Sequence, residues 1–334
     1  MVIIQSYSTA VILCIITMIC WGSWANTMKL SQKNWSFQLY YWDYSLGVLL
    51  FSLLFALTAG SMGSEGRAFM ADLSQAKGIY LLYALLSGVI FNLSNVLLVT
   101  VIDFAGMAIA FPIGVGLALV LGVITGYVSN PVGNPLLIFT GLASVVLAII
   151  LDGIAYSKIP SDGKKSVAKG IALSILTGVL MGFFYPILVK SITGNVITPE
   201  PGMLTPYSAI FMFSCGLFLS SFIWNYYFMR RPLSGPTVTF SDYFNRGNAK
   251  DHIVGILGGV IWCLGFSLMT LSGDKAGPAI SYGLGQGATM VAVIWGVFIW
   301  KEFKTAPKST NKLLAAMFLF YLLGLSLLII AKLN

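Results

Sequence analysis

The sequence has few charged residues, few cysteines and a single histidine. Charged side chains make up 9% of its 334 residues, whereas soluble domains carry about 25%. This deficit extends along the whole chain and excludes an ordinary water-soluble domain. The sequence also lacks metal-ligand spacing, a nucleophile elbow and an acid–base pair, which indicates a protein that is not an enzyme and predicts no cofactor and no metal ion. Four cysteines fall inside apolar stretches, where we interpret them as small packing residues: Cys14, Cys20, Cys215 and Cys263.

Ten long apolar stretches are present instead. A helix that crosses the roughly 30 Å hydrocarbon core needs about 20 mostly apolar residues. Lipid cannot satisfy free backbone groups, and the stretches lack the alternation of barrel strands, so they are predicted to be helices. The sequence therefore predicts an all-α integral membrane protein. The predicted spans are residues 9–28, 40–60, 78–99, 105–128, 135–155, 168–190, 207–228, 252–272, 278–300 and 313–332.

The chain contains an internal repeat. A shift of 171 residues places residues 88–116 over 259–287 with 12 identities in 29 positions. Each half has five spans, an odd number, so the second half must enter the membrane from the opposite side. We predict two inverted five-helix repeats, residues 1–155 and 168–334, joined by a cytoplasmic linker at 156–167. Inverted repeats are typical of secondary transporters, which alternate access around a midplane site.

The basic residues predict the orientation. If the N-terminus is outside, the inner loops hold 14 of the 19 lysines and arginines. Because these residues collect on the cytoplasmic side, both termini are predicted outside a plasma (cytoplasmic) membrane. The net charge of +8 then reflects this bias and contact with anionic membrane lipid, and no nucleic acid is needed to explain it. The sequence leaves a monomer and a homodimer both open.

Amides within the spans predict a binding site. Asn92 and Asn95 share a face of the third span, and Tyr282 and Gln286 share a face of the ninth. Their repeat partners in the other half are neither amides nor hydroxylated. Polar side chains in a span cost free energy, and this asymmetric placement suits an asymmetric solute. Hydrogen bonding between helices, at about 1 kcal/mol per bond, is the alternative.

Tryptophans add candidates. Trp24 and Asn26 lie near the end of the first span. Trp262 lies in the middle of the eighth, away from the interfacial belt where tryptophan is usual. A deep indole suits stacking on a sugar ring or a planar heterocycle, and packing between helices remains open as the other interpretation.

The eleven carboxylates all lie outside the middle of the predicted spans. Asp43, Asp103, Asp152 and Asp274 lie at span ends. A proton relay usually places a carboxylate within the membrane. Asp43, which follows three aromatic residues, is the candidate for proton coupling, with Lys29 as its candidate partner. An interfacial salt bridge is the alternative.

Several short runs resemble a known superfamily. Trp-Gly-Ser at 21–23 and Trp-Gly-Val-Phe at 295–298 are similar to the drug/metabolite transporter superfamily. Within it, Trp-Asp-Tyr-Ser at 42–45 and Gly-Pro-Ala at 277–279 resemble the ureide permeases. Gly-Val-Ile-Trp at 259–262 resembles the bacterial glucose/ribose and rhamnose uptake families. The short linker departs from plant ureide permeases, whose loop there is much longer.

These features predict a secondary transporter that imports a small neutral polar solute, with proton symport as an option. A monosaccharide is placed first, and a ureide or nucleobase second. A drug or metabolite exporter of the same fold is a further alternative. The predicted solute contacts are Trp24, Asn26, Asn92, Asn95, Trp262, Tyr282 and Gln286.

Overall fold

The computed structural model describes residues 1–106, 109–160, 167–233 and 235–333. Within them, ten helices are long and apolar enough to cross a membrane, which confirms the predicted all-helical fold. Residues 161–166 of the predicted linker lie outside the described residues, as does the Asp103 side chain. The spans are α1 Tyr7–Leu30, α2 Phe37–Leu57, α3 Gly78–Ile102, α4 Ala110–Ser129, α5 Pro135–Ser157, α6 Ala168–Val189, α7 Pro206–Arg230, α8 Ala249–Ala276, α9 Pro278–Ile299 and α10 Thr310–Ile330.

Local sequence signals fix where several spans begin. Asn134 accepts hydrogen bonds from the backbone of Leu136 and Leu137 at the start of α5, directly before a proline in the first helical position. Asn248 and Asp251 form a capping box at the start of α8. In both places a side chain satisfies backbone N–H groups that the first helical turn leaves unpaired.

The main contacts join one half of the chain to the other. α2 packs against α8 and α3 against α7, while α1 packs against α8, α3 against α6, and α5 against α10. If each span is replaced by its counterpart in the other half, the same set of contacts results: the α2–α8 contact becomes α3–α7, and the α1–α8 contact becomes α3–α6. The arrangement is consistent with the predicted inverted repeat.

Glycines at equivalent repeat positions allow the closest helix crossings. A Cβ atom at Gly88 on α3 would overlap the backbone carbonyl of Phe213 on α7. A Cβ atom at Gly259 on α8 would overlap the backbone carbonyl of Tyr44 on α2. Small residues let membrane helices approach closely enough for backbone contact. Gly88 and Gly259 are equivalent positions in the repeat, because they are 171 residues apart.

The connections into α4 and α9 also match. Gly106 follows α3 with φ 84°, and Gly277 follows α8 with φ 85°. Only glycine adopts this backbone conformation readily. Both connections therefore turn in the same way at equivalent positions of the two halves.

Both α4 and α9 depart from regular α-helical geometry. α4 opens with a π-helical turn at Ala110–Val115. α9 is interrupted at Gln286 and Gly287, between Pro278–Gly285 and Ala288–Ile294. The repeat shift maps the π-helical turn onto 281–286, directly at the interruption. Irregular helices at equivalent positions often mark the functional region of a transporter.

Candidate solute-binding site

A cavity of about 340 Å³ lies between the two halves of the protein. Its walls come from α1, α2, α3, α4 and α5 of the first half and from α6, α8 and α9 of the second. Small-molecule sites are typically 300–1,000 Å³ and mostly apolar, with a few polar groups that orient the ligand. The irregular parts of α4 and α9 contribute Phe111, Val115 and Gln286 to the lining.

Aromatic rings form the inner end of the cavity. The Trp262 side chain is 4% exposed and stacks on Trp21, with ring centroids 5.9 Å apart and an 8° angle between planes. Phe91 lies 4.5 Å from Trp262 by ring centroids. The indole nitrogen of Trp21 donates to the Trp262 carbonyl at 3.2 Å, which fixes the pair. This wall offers a flat apolar surface to a planar solute.

Gln286 brings a free amide to this wall. It lies at the interruption of α9, and among the described residues no group hydrogen-bonds its side chain. Asn95 also lines the cavity, with its Nδ2 donating to the Tyr41 hydroxyl at 3.2 Å. A side-chain amide offers two N–H donors and one acceptor oxygen. Gln286 is therefore the polar group best able to bind a solute at the inner end.

Paired polar groups surround the other end. The Lys29 ammonium lies 2.6 Å from Glu302 Oε1 and 4.6 Å from the ring centroid of Trp300. The Tyr156 hydroxyl donates to Glu302 Oε2 at 3.2 Å. The Lys29 side chain is 43% exposed, so the cavity opens to solvent here. This end of the cavity lies on the same side of the protein as the linker between the two halves, which is also the side where the basic residues collect.

Five of the seven predicted solute contacts line the cavity: Trp24, Asn26, Asn95, Trp262 and Gln286. The side-chain oxygen of Asn26, Oδ1, accepts from the Trp300 indole at 2.6 Å and so joins the end of α1 to the segment after α9. Trp24 lies against Tyr44, with ring centroids 4.8 Å apart.

Asn92 lies behind the cavity wall. Its side chain is fully buried, accepts from the Tyr41 hydroxyl at 2.8 Å and donates to Ser220 Oγ at 2.7 Å and to the Leu217 carbonyl at 3.0 Å. These bonds join α2, α3 and α7. For Asn92 the structure shows hydrogen bonding between helices, which was predicted from the sequence as the alternative to solute binding.

Tyr282 also lies outside the lining. Its ring is fully buried and stacks on Tyr185 with centroids 5.5 Å apart, while its hydroxyl donates to the Met181 carbonyl at 3.3 Å. Tyr282 thus joins α9 to α6, and its neighbour Gln286 faces the cavity.

Sequence reasoning missed several lining residues. Trp21 and Glu302 lie in or beside the runs that carry the family resemblance, so a signal for them existed. Phe91 and Phe184 line the cavity but look like ordinary apolar span residues. Only the rotation of α3 and α6, which depends on their neighbours, turns these rings inward.

Asp43 does not pair with Lys29, contrary to the prediction. Its side chain is 2% exposed; Oδ1 accepts from the Tyr243 hydroxyl at 2.6 Å, and Oδ2 lies 2.9 Å from His252 Nδ1. Lys29, at the end of α1, faces the segment after α9 instead. Glycine at position 255 leaves the space on α8 that Asp43 occupies. Asp43 is outside the cavity lining and joins α2 to α8 and to the short helix Phe240–Arg246.

We expect Asp43→Ala to lower the thermal stability of the protein. Burial, and then the bond to Asp43, raise the pKa of the Tyr243 phenol, so it stays a donor. Without that acceptor, this half-buried hydroxyl costs about 1 kcal/mol. Asp43→Asn, which keeps an acceptor oxygen, should lose less. Melting of the detergent-solubilised variants measures the difference, and equal melting temperatures for wild type and Asp43→Ala would contradict it.

Ten crossing helices around a cavity of solute size, with walls from both halves, define a multi-pass membrane protein of the transporter kind. The model of the ureide permease family matches residues 40–169 and 159–331, and the chain belongs to this family of membrane transporters. The family membership supports, at a general level, the prediction that the protein is not an enzyme.

Curated relatives match along nearly the whole chain. Ureide permease 1 of Arabidopsis thaliana is 22% identical, over 98% of each chain. Ureide permease 5 of the same plant is 20% identical, over 98% of this chain and 95% of its own. Probable ureide permease A3 of Vigna unguiculata is 21% identical, over 92% of this chain and 99% of its own. The ureide permease part of the predicted resemblance is confirmed, and no finding supports the sugar-uptake or wider superfamily parts.

A solved crystal structure is similar to the whole fold. Its TM-score is 0.60 at 13% identity, and the match covers 98% of this chain and 99% of that chain. At this identity the likeness is evidence for the fold alone.

Proposed function

We propose that the protein carries a small neutral ureide or nucleobase across the plasma membrane through the cavity between its halves. The observation that carries this proposal is the free Gln286 amide beside the aromatic wall of Trp21, Phe91 and Trp262. Ureides and nucleobases have planar N–H and C=O groups side by side. Such a group matches an amide in both donor and acceptor, and its flat faces suit the aromatic wall.

The charges of the cavity favour a neutral solute. Among the described lining residues, the charged groups Lys29 and Glu302 pair with each other at the open end. The inner end has amides, hydroxyls and aromatic rings. A solute with a net charge would enter this region without a partner, and an unpaired charge in an apolar site is costly.

Family membership favours a ureide over the monosaccharide that the sequence placed first. A sugar ring could stack on the same tryptophans, so the aromatic wall alone does not distinguish the two solutes. The relatives that match this chain end to end are named ureide permeases. We therefore place the ureide or nucleobase first.

The two halves would provide alternating access. With both termini outside, the open end beside Lys29 and Glu302 faces the cytoplasm, and the conformation described here is the inward-facing one. Residues 1–155 and 168–334 would then exchange their conformations to open the opposite side, as in other inverted-repeat transporters. The positive-inside bias of the basic residues supports this orientation.

We expect allantoin or uracil, and neither glucose nor rhamnose, to raise the melting temperature of the detergent-purified protein. A ligand at a hundred times its dissociation constant stabilises the folded state by about 2.7 kcal/mol. Gln286→Ala, whose affinity is expected to be about thirtyfold lower, should reduce this stabilisation to about 0.9 kcal/mol, a third of the wild-type value, at the same ligand concentration. A shift with the sugars alone would overturn the choice of a ureide.

A further inference from the structure

Asp152 is a buried carboxyl group without a hydrogen-bond partner in the described part of the chain. It lies on α5, five residues before the end of the span, and is fully buried. Neither of its oxygens has a hydrogen-bond partner among the described residues. The sequence placed Asp152 with the aspartates at span ends. The structure places it inside the helix bundle instead.

The other buried aspartates are satisfied. Asp43 has Tyr243 and His252. Asp72 pairs with Arg67 at 2.9 Å and accepts from Thr205 at 2.8 Å. Buried polar groups almost always have partners, and an ionised carboxylate without one is strongly disfavoured. Packing alone therefore does not account for an aspartate at position 152.

The neighbours of Asp152 lead to the cavity. Tyr156, one turn further along α5 and facing the same side, lines the cavity and donates to Glu302. Tyr321 of α10 hydrogen-bonds Thr289, which also lines the cavity. Both tyrosines are close enough to interact electrostatically with Asp152.

The titratable groups described around Asp152 are the phenols of Tyr156 and Tyr321. Residues Ala110–Gly126 of α4 contain no titratable side chain. On α10 the titratable group near Asp152 is Tyr321, while Lys312 lies at the exposed beginning of the helix. Glu302 reaches this region through Tyr156, and its own charge is paired with Lys29. No described cation is paired with Asp152.

We propose that Asp152 is the proton-binding residue that couples solute transport to a proton gradient, a role that rests on the proposed transport function. In the conformation described here the carboxyl group holds one proton, because an ionised carboxylate would oppose the packing of α5 against α10. Proton release to water through Tyr156 and the Glu302 end of the cavity regenerates the carboxylate. The charged form favours the opposite conformation, so each cycle moves one proton with the solute.

Asp152→Asn tests this role, because an amide resembles the protonated acid and cannot release a proton. We expect wild-type protein in liposomes to accumulate radiolabelled allantoin when a proton gradient is imposed. Asp152→Asn should exchange allantoin across the membrane yet lose accumulation and its dependence on pH. Asp274→Asn, at the partly exposed end of α8 and paired with Lys275, is the matched control and should keep both. Gradient-driven accumulation by Asp152→Asn equal to wild type would overturn the proposal.

A second measurement needs no solute and separates this proposal from the proposed function. Raising the pH from weakly acidic to weakly alkaline should lower the melting temperature of wild type, because Asp152 would ionise without a partner. The profile of Asp152→Asn should be flatter. If wild type transports no ureide, the proposed function fails, and this comparison still decides whether Asp152 binds a proton in the folded protein. Parallel profiles would overturn it. Asp152→Ala replaces Asp152→Asn in both measurements if the amide variant does not fold.

Discussion

Replacing Gly259 with leucine is expected to prevent the protein from folding. A side chain at this position would overlap the backbone carbonyl of Tyr44, and a backbone cannot rotate aside as a flexible side chain can. Overpacking in a core typically costs about 1–3 kcal/mol, and separating α8 from α2 also opens the Trp262 wall of the cavity. We expect loss of the monodisperse peak when the variant is run on size-exclusion chromatography in detergent.

Gly78→Leu is the matched control for this prediction. Gly78 begins α3, and a Cβ atom there would meet nothing within 4 Å. Surface substitutions away from special features usually change stability by about 0.5 kcal/mol or less. Gly78→Leu should therefore elute as wild type does. Normal elution of Gly259→Leu would show that the close α2–α8 crossing is not required.

Replacing Gln286 with alanine is expected to weaken solute binding about thirtyfold. Its amide would form two hydrogen bonds to a ureide group, each contributing about 1 kcal/mol, and 1.4 kcal/mol is a tenfold change in affinity. Because no described residue hydrogen-bonds this side chain, its removal should leave the melting temperature of the unliganded protein nearly unchanged. Equilibrium binding of radiolabelled allantoin to the purified variant measures the loss.

Gln5→Ala controls for the loss of a glutamine as such, since Gln5 is exposed before the start of α1 and does not line the cavity. It should bind allantoin as wild type does. Unchanged affinity in Gln286→Ala would remove this amide from the site. A large loss of stability in the same variant would instead assign it to helix packing.

The spans could be predicted from the sequence because each reflects a local property, a run of apolar residues of bilayer length. The repeat was also readable, and Gly88 and Gly259 show why. Both meet a backbone carbonyl of a span in the other half. Because only glycine allows such a close contact, both equivalent positions require the same residue.

The site was predictable only in part, as the third and ninth spans show. Asn92 and Asn95 share one face of α3, yet Asn95 lines the cavity while Asn92 bonds to α7. Tyr282 and Gln286 divide in the same way on α9. Periodicity shows which residues share a face. Whether that face meets a cavity or a neighbouring helix depends on contacts between distant segments.

The carboxylates show a second limit of the sequence. The sequence placed both Asp43 and Asp152 at span ends and singled out Asp43 for proton coupling. Among the described residues, Asp43 has two hydrogen-bond partners and Asp152 has none. The difference comes from Tyr243 and His252, which lie 200 and 209 positions from Asp43 in the chain.

Counterflow of radiolabelled allantoin in liposomes that contain the purified protein tests the central claim most directly. Vesicles preloaded with unlabelled allantoin should transiently accumulate the label, and uracil should compete while glucose should not. Empty liposomes and vesicles with Gln286→Ala should accumulate little. Accumulation of labelled glucose, with none of allantoin or uracil, would contradict the assignment of the cavity to a ureide or nucleobase.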